Sequence, residues 1–369
     1  MNIANLRCHA WAVAAAVLAG CATVPSPNPA SPLLPATGSA AHTPASYVFV
    51  SECCGRGSIT LYNLGLTGVA ERITKGAAYP GPIMVDRSGR LYDIIGQHYY
   101  DGAVTEYDRG SLIPSRKIEK DYAWAVATDS ANNLYVASCP SCIEYHSHSG
   151  NGSVDVYKAG TTKLVRTITK GIDLPISLAV DTNDDLYVLN GDYARPAVMV
   201  YAPGSSKPLR KITQGVTGPA EIALDPSNDL FVMNGQPSGS PSVVEYEAGS
   251  RKVLRTITTG IQSPQAIALD SSATLYVAND SGGVSGRGSI SVYPPAASTP
   301  SYEIEHGVDY PKSLTVDAQD DLYVGNVGYS SPIEDRRAVC VYAPKTEKPL
   351  RCVRGVRRYD LPTSLASGP

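Results

Sequence analysis

Phenylalanine and tryptophan are nearly missing: the 369 residues hold two of each, against 23 tyrosines. Rings with an apolar body and a polar tip suit half-wet strands. No large charge of one sign is present. The formal charge is -3, about -4 once Arg7 leaves with an N-terminal leader, and no basic stripe is visible. That composition argues against nucleic acid as a partner. No apolar run is long enough to span a bilayer as a helix; Ala10 to Leu18 falls short. Histidine is scarce, with only His98, His146, His148 and His306 beyond the first 45 residues, and there is no Gly-x-Ser-x-Gly elbow. A nucleophilic triad cannot be assembled from that set.

What is present begins with an address. Arg7, the apolar run and then Leu18-Ala19-Gly20-Cys21 resemble the bacterial lipobox. The resemblance implies that residues 1-20 are a lipoprotein signal peptide and that Cys21 is diacylated as the first mature residue. Ala22 follows where that family uses Asp to retain proteins in the inner membrane. The implied location is the outer membrane of a Gram-negative bacterium, through a lipid anchor. Residues 21-45 are rich in Pro, Ala and Ser and read as a semi-extended tether. In polyproline II it would reach on the order of 70 Å at ~3.1 Å per residue.

Residues 46-369 repeat themselves. Leu-Tyr-Val plus a small residue and Asn recurs as LYVAS at 134, LYVLN at 186, LFVMN at 230, LYVAN at 275 and LYVGN at 322, with weaker copies at 47 and 91. A second phrase ends in Tyr62, Tyr107, Tyr157, Tyr201, Tyr246, Tyr293 and Tyr342, at steps of 45, 50, 44, 45, 47 and 49 residues. A third centres on Arg-x-Ile, and a fourth, as in PISLAVD and PQAIALD, ends in Asp. Each phrase is short, β-branched or aromatic, and bounded by turn residues, so each reads as a strand. Four strands per ~45 residues is a propeller blade. Six first strands precede a Leu-Tyr-Val, and PTSLA at 362 supplies the seventh. The reading is an all-β, seven-bladed β-propeller of four-stranded blades, closed by a C-terminal strand in the first blade. These phrases resemble the NHL-like and YVTN-like propellers over residues 47-366, a likeness that implies a fold and no activity.

Uniform turns lie at one face, from each first-strand Asp to the next Leu. The second-to-third-strand loops vary, the longest being that of the third repeat. Variable loops on rigid strands point to a binding face. An even number of cysteines remains after Cys8 and Cys21: Cys53, Cys54, Cys139, Cys142, Cys340 and Cys352. In an exported chain they are expected in disulfides. Hairpin register places Cys340 opposite Cys352; the other four leave three pairings open. Cys139, Cys142, His146 and His148 also form a weaker alternative as a zinc or copper set.

The candidate binding face holds His146, His148 and Tyr145 in the long loop, with Trp124, Glu221, Gln265 and Lys312 at first-strand starts. A non-catalytic scaffold for a protein, peptide or glycan is the preferred function, in a monomer with no required cofactor. The alternative is a calcium-dependent hydrolase, because lactonase-type propellers hold calcium with Glu, Asn and Asp. Glu221 with Asn190, Asn234, Asn279 or Asn326 would then be the ligands, although turn capping is the more ordinary role of such Asn.

Overall fold

A computed structural model describes residues 47-53, 57-96, 102-140, 152-192, 194-235, 240-283, 286-328, 338-354 and 361-368. They form seven four-stranded antiparallel sheets. Blade 4 is representative. From axis to rim it contains Pro175–Val180, Leu186–Asn190, Ala197–Tyr201 and Arg210–Ile212. The inner strands of blades 2 to 7 start at Pro80, Ala123, Pro175, Pro219, Pro264 and Pro311, and each packs on the inner strand of the next blade. Blade 1 is built from both ends of the domain. Its inner strand Leu361–Gly368 pairs with Tyr47–Cys53, from Tyr47 opposite Gly368 to Cys53 opposite Leu361.

The strands are apolar on both faces because each blade is packed between two others. The buried residues fall into seven clusters, one per seam between adjacent blades. Tyr187 and Val188 illustrate the alternation. The first packs toward blade 5 and the second toward blade 3.

The repeated polar residues explain the tyrosine excess. The Asp that ends an inner strand caps the turn beyond it: Asp181 Oδ1 accepts the N–H groups of Asn183 and Asp185 at 2.8 and 2.9 Å. Its other oxygen accepts the hydroxyl of the Tyr in the next strand, as in Tyr323–Asp317 at 2.9 Å and Tyr92–Asp86 at 3.1 Å. Both phenylalanines stand at that Tyr position. In blade 1 the inner strand ends without an Asp, and in blade 5 Phe231 leaves Asp225 without the hydroxyl. Burial, above all, pushes the Asp225 carboxyl above its ordinary range.

The third-strand Tyr works across seams. Tyr107, Tyr201, Tyr246, Tyr293 and Tyr342 donate to carbonyls of Lys75, Lys170, Gln214, Thr259 and His306 in the preceding blade. Burial pushes these hydroxyls up, to about 12 for Tyr293, so they remain donors at any physiological pH. The turns are also stapled to one another. Ser130 donates its N–H and hydroxyl to Asp184, and Ser271 does the same to Asp320. Asp184 and Asp320 sit at φ 63°, a left-handed position that Asp tolerates better than most residues.

Candidate binding site at the channel mouth

The face opposite these turns carries the loops between second and third strands and the connections between blades. There the ladder of inner and second strands skips one residue in five blades. The skipped residues are Trp124, Ile176, Ala220, Gln265 and Lys312. In blade 2 Gly81 and Pro82 are skipped, and in blade 1 Thr363. A bulge re-aims the side chain it carries. Trp124, Ile176, Gln265 and Lys312 are therefore turned toward the axial mouth and half-buried, while the following position is buried in all four blades; Ala220 is instead buried in the seam between blades 5 and 6.

The residue before the inner strand is left-handed in five connections: Tyr79 (φ 54°), Tyr122 (52°), Gly218 (60°), Ser263 (50°) and Tyr310 (53°). Its carbonyl accepts the N–H of the residue just past the second strand, Tyr122 from Cys139 and Tyr310 from Val327. Left-handed backbone costs a non-glycine residue roughly 1–2 kcal/mol. Blade 5 meets the same demand with glycine. The three tyrosines accept the cost, Tyr79 largely exposed, Tyr310 half-buried and Tyr122 buried.

A polar group spans blades 6 and 7. Lys312 Nζ lies 3.1 Å from Asp280 Oδ2 and donates to Gln265 Oε1 at 2.7 Å. Gln265 in turn donates to the Ser263 carbonyl at 3.1 Å. Asp280 was not foreseen from the sequence. Its only signal was an acidic residue directly after a second-strand Asn, and the partner lies 32 residues away.

Glu221 does not line the mouth. It is fully buried one place beyond the bulge, and its Oε2 accepts the Ile267 N–H of the next blade at 2.9 Å. The equivalent Ser364 and Ser177 accept the N–H of Ile83 and Ile222. This position thus satisfies inner-strand amides that have no ladder partner. The second-strand Asn residues are equally committed. Asn190, Asn234, Asn279 and Asn326 donate to the carbonyls of Gly171, Gly215, Gly260 and Gly307, and accept N–H groups of Asp173, Thr217, Gln262 and Asp309. They cap the connection between blades, not their own turn. Among the described residues no three His, Cys, Asp or Glu side chains gather as a metal site.

Cys340 and Cys352 are opposite in the hairpin, with Cα atoms 4.0 Å apart, and are bonded. Cys139 is buried and disulfide-bonded, a state in which its sulfur is no thiolate ligand. Cys54, Cys142, Tyr145, His146 and His148 lie outside the described residues, as do Cys21, the leader and the tether; Cys53 ends a described strand.

No family model and no curated protein matches the chain. Among solved structures, a Bacteroides uniformis ATCC 8492 protein with a provisional 6-phosphogluconolactonase assignment superposes with a TM-score of 0.63. Identity is 14%, and the match covers 88% of this chain and 100% of the other. At that identity the likeness establishes the seven-bladed fold.

Proposed function

We propose that this chain is an exported, lipid-anchored propeller that binds a peptide or glycan non-catalytically at the channel mouth. One observation carries the reading. The side chains a calcium-dependent hydrolase would use, Glu221 and the four Asn, are engaged by backbone groups, whereas the bulges turn Trp124, Gln265 and Lys312 toward the mouth, which also carries the Lys312–Asp280 ammonium–carboxylate pair. Aromatic surface with a few placed polar groups is what such ligands require. The anchor is supported by the lipobox-like sequence at Cys21.

The chain from Ala22 contains one tryptophan, Trp124, so its fluorescence reports on the mouth. Peptide and glycan libraries are screened for saturable quenching. Lys312→Ala should weaken a hit about tenfold or more, with Trp124→Ala losing it in a label-free assay. A ligand whose affinity ignores both substitutions sinks the reading. The structural neighbour supplies a second one, lactone hydrolysis. Calcium-dependent opening of a sugar lactone that disappears in Glu221→Gln would install it instead. For the anchor, Cys21→Ser should abolish incorporation of labelled fatty acid.

A further inference from the structure

The turn face has a feature that neither the mouth nor the fold requires. Where the hairpin between third and outer strands turns, blades 2 to 5 each expose large apolar residues: Ile113, Leu164 with Val165, Leu209 and Leu254, all between 42% and 58% exposed. Single exposed leucines are ordinary, but Val165, Leu209 and Leu254 share one register position in three consecutive blades, and Ile113 in the blade 2 turn extends them into an arc. The joints are close. Arg116 of blade 2 donates to the Thr161 carbonyl in the blade 3 hairpin, and Arg210 of blade 4 donates to Gly249 in the blade 5 hairpin.

The arc is basic on a chain with a net negative charge. Segments 108-117, 158-166, 202-211 and 247-255 hold twelve Lys and Arg against two acidic residues, Asp108 and Glu247. Lys163, Lys207, Lys211 and Arg251 are exposed beside the apolar residues, while Lys252 is paired with Glu247 at 3.2 Å. Arg210 faces Asp185 at 3.6 Å, Lys117 lies 2.9 Å from Glu119, and Arg116 and Arg255 are held by Glu106 and Glu245, so these four contribute less. The corresponding blade 6 segment, 294-301, has no charge and no large exposed apolar residue. Blade 6 interrupts the pattern; blade 7 resumes it with Leu350, 61% exposed, beside exposed Lys345 and Lys348, and blade 1 exposes Val69.

The described chain enters on this same face. Tyr47 lies opposite Asn63 at the start of the blade 1 hairpin and opposite Gly368. Blade 1 adjoins blade 2, where the arc begins. The first described residue, Tyr47, therefore lies on the side that carries the basic–apolar arc.

We propose that the arc of blades 2 to 5 docks on an anionic phospholipid surface. Leucines enter the headgroup layer, lysines meet phosphate, and the channel mouth faces away from the membrane. The orientation rests on the lipid-anchor reading; the docking surface does not.

The test uses the chain from Ala22, which keeps every described strand and lacks the acylation site, so its result leaves acylation untouched. Co-sedimentation with phosphatidylglycerol vesicles should show binding that falls as salt rises, and little binding to phosphatidylcholine. With each basic residue near the surface worth about fivefold, Lys163→Glu, Lys207→Glu and Arg251→Glu together should weaken binding on the order of a hundredfold. Leu164→Ser with Leu209→Ser should weaken it further at high salt. Thermal midpoints of these surface variants should match the parent. Absence of binding to anionic vesicles at low salt, or binding that the charge reversal leaves unchanged, overturns the proposal. So does tighter binding to a soluble polyanion such as heparin than to vesicles.

Discussion

Asp93 stands where the six other blades place Val50, Val136, Val188, Val232, Val277 and Val324. It is fully buried, and neither carboxyl oxygen meets an ion-pair partner among the described residues. Burial pushes its carboxyl well above the ordinary range, opposed only by the Gly81 N–H. The native chain therefore keeps a proton that the unfolded chain releases near the usual carboxylate value of about 3.9. Above that pH the native state binds more protons than the unfolded state, so stability falls as pH rises until the folded value is passed. Asp93→Val should raise stability by about 1–3 kcal/mol at neutral pH. Its advantage should grow as pH rises from about 4, read from denaturant midpoints across a pH series. A valine variant no more stable than the parent at pH 7 would show that the carboxyl is satisfied in its seam.

At the scale of elements, the outer strands are the weak members of each blade. They run three to five residues and leave one edge unpaired. Blade 7 ties its outer strand Arg351–Arg354 covalently to the third strand Ala338–Tyr342 through Cys340–Cys352. The bridge closes a loop with a sequence separation of 12, which in the chain-entropy picture contributes about 3 kcal/mol. Cys340→Ala with Cys352→Ala should lower stability by roughly that amount, and a reductant should then have less effect on the variant than on the parent. An unchanged melting temperature in the double variant would show that the hairpin holds without the bond.

For the whole molecule the decisive contact is closure. Leu365 belongs to the seam between blades 7 and 1, and Ala366 to the seam between blades 1 and 2. Removing residues 361-369 would expose the edge of Tyr47–Cys53 and thin both seams at once. An open edge of that kind invites pairing with other chains. The truncated chain is expected to lose several kcal/mol and to associate during size-exclusion chromatography. A monomeric truncation with the parental melting curve would mean that the ring does not depend on its last strand.

The sequence by itself determined the blade count, the strand order within each blade, the closure from the C-terminus and the Cys340–Cys352 register. All of these follow from local periodicity repeated seven times, and repetition averages out local noise. The turn-capping Asp was legible for the same reason, since its partners lie two and four residues on. Contacts between repeats were not legible. Asn190 bonds a connection 17 and 19 residues earlier in the chain, Glu221 accepts an amide 46 residues later, and Lys312 meets Asp280 across a seam. Trp124, Gln265 and Lys312 were marked from their place at strand starts, but the bulge that turns them to the mouth is a register event between two strands. The basic–apolar arc also needed the ring, because its members are neighbours only after the outer strands are placed side by side. Short-range rules are written along the chain, whereas closing seven blades into a circle decides which distant side chains share a seam, a mouth or a face.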